Sequence, residues 1–397
     1  MPSNAAIEHL LTYNVSAIYP TADFLRDKLQ QGEQLTIYLG VDPSSPNIHL
    51  GHTIVLRKLK EFQQLGHKVI FLIGDFTAMI GDPTGKEKAR PQLTQAEVLK
   101  NAQTYQEQVS LILDFSGPQA AEIRFNSQWL GTMDLNKIIH LSANFTVQQL
   151  LERDMFQKRI SEGKPIFLHE FIYPLLQAYD SVALNVDGEI GGTDQTFNML
   201  IGRQLLKTKR QKEKFVLTCP LLVGSDGRKM SKSLGNVINI TDPPREMYGK
   251  LMALQDDLIL EYLSRCTDTP ATEINSWQKE LAAGLNPMEV KKVLAAKICR
   301  LYHGPAAAEE AEQYFAAVFQ KHQLPRDLQE ISFPAGMKLI DLLREQKLVA
   351  SRSAAKRLLQ QNGVRINRSP IQDPNYRPAN GDILQLGRRR FYRLREK

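Results

Sequence analysis

Two short apolar runs flanking one amphipathic stretch near the start of the chain leave few folds open. Residues 35–41, LTIYLGV, have the length and apolar continuity of a buried strand. A turn, DPSSPN, follows. Next comes a stretch over about 50–65 in which Val55, Leu56, Leu59, Phe62 and Leu65 share one helical face. Gly66 ends it, and VIFLIGD at 69–75 is again apolar and of strand length. Strand, helix, strand in that order predicts a parallel, doubly wound α/β unit. Later, FLHEFIYPLLQAYDSVAL at 167–184 reads as a helix apolar on most sides. DGEIGGTDQ then leads into a helix near 194–208, and FVLTCPLLV at 215–223 is another apolar strand. Between these parts, roughly 85–170 interrupts the alternation and reads as a mostly helical insertion. It includes a helix over 94–113 opened by the capping pair Thr94 and Glu97.

From about 240 to 325 the pattern is helical throughout. Asp242-Pro243-Pro244 starts one helix, and Gly304-Pro305 breaks between two others. Phe333-Pro334-Ala335-Gly336 reads as a linker. Beyond it come two short helices (338–346 and 352–361), then short strands around Asn362-Gly363 and Gly381-Asp382. Charge separates this tail from the rest. The net charge is +7, yet residues 337–397 alone hold 15 Lys and Arg against 5 Asp and Glu. A folded module of that balance is expected to bind a polyanion through phosphate contacts. No run approaches eighteen uncharged apolar residues, so no membrane span is expected. Cys219, Cys266 and Cys299 have no metal-ligand spacing and read as reduced thiols. With no apolar run of signal-peptide type after Met1, they point to a cytoplasmic chain.

Chemistry concentrates at two places. His49-Leu50-Gly51-His52 sits where the first strand feeds the first helix, and a helix start offers unpaired N–H groups to an anion. Histidines at i and i+3 share a face there, and the intervening glycine lets a base or ribose approach the backbone. On its own such a string more often marks structural or surface histidines. Lys229-Met230-Ser231-Lys232-Ser233 lies in the glycine-rich loop GSDGRKMSKSLGN, a mobile cationic clamp suited to a triphosphate. A solvated lysine loop is the plainer alternative. The two strings together, about 180 residues apart, resemble the paired signatures of class I aminoacyl-tRNA synthetases.

The resemblance narrows with YLGVDPSSPNIHLGH, GDPTGK at 81–86, YPLLQAYD at 173–180 and GGTDQ at 191–195, which in that order resemble tyrosyl-tRNA synthetases. The 337–397 segment is similar to the S4-type RNA-binding domain that ends many bacterial members. The resemblance implies an α/β, Rossmann-like doubly wound parallel sheet with a helical insertion, followed by an α-helical domain and a small α+β S4-like domain. The implied boundaries are a catalytic nucleotide-binding domain at 1–228 with the insertion at 85–170, a signature loop and α-helical anticodon-side domain at 229–330, and the S4-like domain at 337–397.

By the same resemblance, Tyr38 and Asp180 hydrogen-bond the substrate phenol. Asp82, Tyr173 and Gln177 hold its ammonium, and Asp42 and Gln195 lie near the reacting carboxylate and amino group. Gly40, His49, Gly51, His52, Gly192 and Asp194 form the ATP site, with Lys229, Met230, Ser231 and Lys232 in the mobile loop. His49, His52, Lys229 and Lys232 are the expected catalytic groups, and Arg352, Lys356, Arg357, Arg365 and Arg368 the expected RNA contacts. There are departures from the commonest forms. Leu50 stands where Ile is usual and Ser44 where Thr is frequent. Thr196 and Phe197 follow GGTDQ, and Glu189 stands where one branch has Gln, which leaves the lining near 189–197 open.

The implied reaction joins L-tyrosine to ATP, releases pyrophosphate, and passes the tyrosyl group to the 3′ end of tRNA(Tyr). Magnesium is expected on the triphosphate, with no protein metal site. A homodimer formed through 85–170, with tRNA bridging the subunits, is expected from the family. A tryptophan enzyme of the same subgroup is disfavoured by Tyr38, Asp180 and the tail. A small nucleotidyltransferase would not need the tail, and a non-catalytic RNA-binding relative would be expected to have lost signature residues.

Overall fold

The computed structural model describes residues 3–84, 93–228, 230, 235–320, 328–387 and 390–397. Lys229, Ser231 and Lys232, and Gly85 and Lys86 of the GDPTGK string, lie outside the described residues. The chain divides into two compact units, Met1–Asp242 with Leu254–Leu294, and Pro243–Ala253 with Ala295–Lys397.

In the first unit the strands are β1 (Ala17–Tyr19), β2 (Thr36–Val41), β3 (Lys68–Ile73), β4 (Glu122–Phe125), β5 (Gly188–Gly192) and β6 (Phe215–Cys219). They form one sheet in the order β1-β6-β5-β2-β3-β4. The β6-β5-β2-β3-β4 pairs are all parallel, and β1 closes one edge antiparallel to β6. Parallel strands are covered on both faces, so they read as unbroken apolar runs. Accordingly, β3 is buried at every residue after Lys68, and β6 along its whole length. The Leu50–Gln64 helix packs on β2, β3, β5 and β6, and the His169–Leu184 and Thr196–Arg210 helices pack on each other.

One expectation needs an addition and another a correction. The insertion is mostly helical as expected among its described residues, but it also holds β4, a strand the sequence reading did not anticipate, which extends the sheet beside β3. Its sequence, EIRF, is half charged and only partly buried, as an edge strand tolerates. The helix expected over 94–113 is two short ones, Gln95–Ala102 and Tyr105–Val109. Its capping box holds, with Glu97 accepting from the Thr94 N–H at 2.8 Å. Tertiary bonds occupy the break, where Asn101 donates to the Pro43 carbonyl at 3.0 Å and Thr104 to the Pro46 carbonyl at 2.7 Å.

In the second unit a helix runs over Pro244–Met252, and a second sheet has the order β7-β11-β10-β8-β9. Its strands are β7 (Gln329–Phe333), β8 (Val364–Ile366), β9 (Ser369–Pro370), β10 (Ile383–Leu386) and β11 (Arg390–Glu396). The helices Leu339–Glu345 and Arg352–Gln360 share a core with it built from Leu339, Leu342, Leu343, Leu359, Val364, Leu384 and Leu394. The expected linker therefore begins inside structure: Phe333 is buried and ends β7, which pairs parallel with β11. Between the two helical segments over Pro287–Phe315, the expected break is present at Gly304, whose φ is +81°.

Gly188 shows how tightly the sheet is packed, since a Cβ there would lie 2.1–2.6 Å from ring atoms of Phe215. Gly188→Ala is expected to cost about 1–3 kcal/mol through overpacking. The cost reads out as a lower midpoint in urea unfolding, and an unchanged midpoint would contradict this packing.

Candidate active site

The strand order reverses between β2 and β5. From β2 the chain winds outward through β3 and β4, and from β5 it winds the other way through β6. In open α/β sheets a crevice forms at such a switch, beyond the carboxyl ends of the strands. The pairing shows why. β2 is hydrogen-bonded to β3 along Thr36–Val41, but it meets β5 only at Ile37–Gly188 and Tyr38–Glu189. Past that ladder the strands part, and a cavity of about 320 Å³ opens between them.

Its lining brings distant parts of the chain together. Tyr38 and Gly40 come from β2 and Asp42 from just beyond its end, His49, Gly51 and His52 from the first helical turn, and Asp82 from just past the short Thr77–Ile80 helix that follows β3. Tyr173, Gln177 and Asp180 come from the His169–Leu184 helix, and Gly192, Asp194 and Gln195 from the end of β5. Met230 also lines it. Every expected tyrosine- and ATP-site residue that is described therefore faces one cavity.

At the floor, Tyr38 and Asp180 do not bond each other. The Tyr38 hydroxyl lies 3.0 Å from Ser181 Oγ. Asp180 accepts from Trp129 Nε1 at 2.8 Å and from Asn126 Nδ2 at 3.4 Å. Burial pushes the Asp180 carboxyl well above the ordinary carboxylate range, against those N–H donors. Burial, and then the charges of Glu189 and Asp180, keep the Tyr38 phenol protonated far above its usual range. The floor thus presents a phenol and a carboxyl group in a dry setting, where an unmatched polar partner is costly.

A carboxylate wall stands to one side. Asp42 accepts from Tyr173 Oη at 2.8 Å and from Thr77 Oγ1 at 2.7 Å. Asp82 accepts from Gln195 Nε2 at 2.8 Å and from Thr84 Oγ1 at 2.6 Å, and Arg153 donates to that threonine at 2.6 Å. Gly74 allows this: a Cβ there would sit 2.1 Å from Asp42 Oδ1. Two carboxylates beside a tyrosine and two glutamines suit a small cationic group.

The histidines have a structural task as well. His49 is the N-cap of the Leu50–Gln64 helix, and its Nδ1 accepts from the Gly51 N–H at 3.1 Å. His52 Nδ1 accepts in return from the His49 N–H at 3.2 Å, and the rings stack at 3.7 Å. With both Nδ1 atoms accepting, the neutral rings carry their protons on Nε2, so each offers one N–H donor. A Cβ on Gly51 would meet the His49 ring at 3.1 Å and Met230 Sδ at 3.3 Å. The late segment returns here too. The Leu50 N–H donates to the Ile238 carbonyl and the Ile240 N–H to that of Ile48, both at 3.0 Å.

In the second unit, Arg352, Lys356 and Arg357 are exposed on one helix, and Arg365 and Arg368 are exposed in and beside β8. Arg352 pairs with Asp341 at 3.3 Å. In the insertion, Leu135, Ile139, Val147, Ile160, Phe167 and Leu168 are large, apolar and exposed.

Reading the sequence did not find Gly74, Thr77, Asn126, Trp129, Arg153, Ser181 or Lys214. Asn126 and Trp129 belong to the insertion, where no motif marks them. Lys214 did carry a signal: a charge abutting a fully buried strand must find a partner, and Glu189 was the charge within the other.

Comparison with known proteins gives a single family. The model for class I tRNA synthetases (W and Y) matches residues 30–320, and that for the S4 domain matches residues 337–384. A tyrosine–tRNA ligase from Mannheimia succiniciproducens is 48% identical over 97% of this chain and 97% of its own length. One from Thermotoga maritima is 47% identical over 93% of this chain and 92% of its own. Among solved structures, a truncated mitochondrial tyrosyl-tRNA synthetase from Aspergillus nidulans superimposes with a TM-score of 0.66 at 24% identity, over 80% of this chain and 95% of its own, a likeness of fold.

The cap separates two tasks of His49. His49→Ala is expected to cost about 1 kcal/mol of stability by removing the cap acceptor, and His49→Asn, which caps as well, to recover most of it. Thermal unfolding of the two variants checks this. Equal melting temperatures for Ala and Asn would contradict the capping role.

Proposed function

This chain belongs to the class I tRNA synthetases of the tryptophan and tyrosine group, and within them to the tyrosine–tRNA ligases of bacterial type with a C-terminal S4 domain, and from that premise we infer that the cavity between β2 and β5 is where tyrosine and ATP react. The enzyme activates L-tyrosine with ATP to tyrosyl-adenylate and pyrophosphate, then transfers the tyrosyl group to the 3′ end of tRNA(Tyr). Supporting the placement is one observation above all: a phenol donor and a carboxyl acceptor, Tyr38 and Asp180, both buried, share the floor of the cavity.

In this reading the substrate phenol lies between Tyr38 and Asp180. Its ammonium faces Asp82, Tyr173 and Gln177, with Asp42 and Gln195 beside the reacting end. The substrate carboxylate attacks the α-phosphorus of ATP, and the bond to the β-phosphate breaks. No protein nucleophile is required, so rate comes from placement and from donors that tighten on developing charge. The Nε2–H groups of His49 and His52 serve the phosphates, joined by Lys229 and Lys232, while Met230 and Ser231 complete the loop. Gly40, Gly51 and Gly192 let the nucleotide approach the backbone, and Asp194 takes its ribose. Magnesium enters on the triphosphate as part of the substrate.

The S4 domain binds the tRNA, with Arg352, Lys356, Arg357, Arg365 and Arg368 as its phosphate contacts. The exposed apolar side chains between Leu135 and Leu168 support a homodimer joined through the insertion, with tRNA reaching across it. A cytoplasmic location fits substrates that are made there.

Amino-acid-dependent exchange of pyrophosphate into ATP tests the reading. Asp180→Ala is expected to lower kcat/KM for tyrosine roughly 10- to 100-fold, the effect of unpairing a buried polar group, and to erode the preference over phenylalanine. An unchanged preference would contradict the assignment. Arg352→Glu combined with Lys356→Glu is expected to slow transfer to tRNA far more than pyrophosphate exchange, with the defect narrowing as salt rises because fewer phosphate contacts give a shallower salt dependence. Equal slowing of both steps would remove the RNA role from this helix.

A further inference from the structure

Behind the slot floor lies a pair of charges that the roles above leave unused. Lys214 stands just before β6 and is fully buried, and Glu189 in β5 is 2% exposed. Lys214 Nζ donates to Ser181 Oγ at 2.6 Å and forms an ion pair with Glu189. It also lies 5.6 Å from the centre of the Tyr38 ring. Ser181 Oγ is 3.0 Å from Tyr38 Oη and 3.5 Å from Glu189, whose other oxygen accepts from Gln177 Nε2 at 3.5 Å. One ion pair therefore touches, directly or through one hydroxyl, residues assigned to both ends of the substrate.

An ammonium group donates and never accepts. Facing Lys214, Ser181 Oγ must be an acceptor, and its own proton goes elsewhere. Two acceptors compete for that proton: Glu189 Oε2, which accepts from Ser181 Oγ at 3.5 Å but is already met by Lys214, and Tyr38 Oη, closer at 3.0 Å. The shorter contact makes Tyr38 the better acceptor for the Ser181 proton, and in that arrangement the Tyr38 proton is left for the slot. We propose that Lys214 and Glu189 are positioning residues that set the direction of a hydrogen-bond chain, Lys214 to Ser181 to Tyr38 to the substrate phenol oxygen, with the phenol proton passing to Asp180 as acceptor. Only a substrate bearing a hydroxyl, donor and acceptor at once, completes that chain. Phenylalanine leaves Tyr38 with an unspent donor and Asp180 without a donor from the substrate. Without the ammonium, Tyr38 turns its proton back onto Ser181, and the penalty against phenylalanine shrinks. Selectivity would then be written partly behind the slot, in residues that touch no substrate. A buried ion pair is weak as a source of stability, which leaves room for such a role.

The proposal rests on the reading of the cavity as the tyrosine slot, so the experiment carries a control for that reading. The ratio of kcat/KM for tyrosine over phenylalanine is measured by pyrophosphate exchange on the full chain. The variants are Tyr38→Phe, Ser181→Ala and the charge-neutral pair Lys214→Met with Glu189→Gln. Ser181→Ala cuts the chain while leaving the ion pair in place, and it decides the question should the double variant fail to fold. Ser181→Ala and the double variant are each expected to lower the ratio about 10-fold, the worth of one hydrogen bond, with the KM for ATP unmoved. Neither should lower it further when Tyr38→Phe is already present. A wild-type ratio in folded Ser181→Ala, or an equal loss in the Tyr38→Phe background, would overturn the chain. A wild-type ratio in Tyr38→Phe alone would instead overturn the slot reading beneath it.

Discussion

The short ladder between β2 and β5 is the constraint on which the rest of the first unit depends. Had those strands stayed paired to their ends, as β2 and β3 do, the sheet would be continuous and the cavity would not exist. Because they separate after Tyr38 and Glu189, the carboxyl ends of both strands face a common space. Gly40 and Asp42 enter it from one side, Gly192 and Asp194 from the other. The helix that begins at Leu50 then points its N-terminus at the same space, which is where a helix best receives phosphate.

Parting a parallel sheet at its centre exposes a place that is dry below and open above, and the polar chemistry sorts by depth. Deepest lie Lys214, Glu189 and Ser181, paired among themselves. Burial pulls the Lys214 ammonium down from its usual range, and the Glu189 charge opposes that pull. One layer up are Tyr38 and Asp180, each pushed upward by burial. At the rim are the two histidines, whose mutual cap fixes their tautomers before any ligand arrives. Preorganisation of this kind spares the bound state the work of turning dipoles.

Much of this was legible beforehand, and the reasons are physical. Parallel strands covered on both faces tend to be apolar throughout, which is why β2, β3 and β6 stood out, whereas β5, with three glycines and Glu189, was read only as the string DGEIGGTDQ. β1 and β4 did not, because short edge strands carry no such demand. The pair of short signatures named the rim, and the ordered strings between them named the cavity lining. What remained hidden were residues whose roles depend on tertiary neighbours: Gly74, explained by the approach of Asp42 and Thr77, and Asn126 and Trp129, which reach Asp180 from the insertion. The histidines were placed at a helix start, but their reciprocal cap needed coordinates. Phe333 was read as linker because the alternation of Ile331 and Phe333 spans a strand too short to recognise.

The central claim is that one cavity at the β2–β5 parting holds tyrosine at its floor and the nucleotide at its rim. The most direct measurement is a crystal structure of the full chain with a non-hydrolysable tyrosyl-adenylate analogue. The account requires the phenol oxygen within hydrogen-bonding distance of both Tyr38 Oη and the Asp180 carboxyl group, and the ribose beside Gly192 and Asp194. An analogue bound with its phenol turned away from those two residues, or lodged outside this cavity, would contradict it.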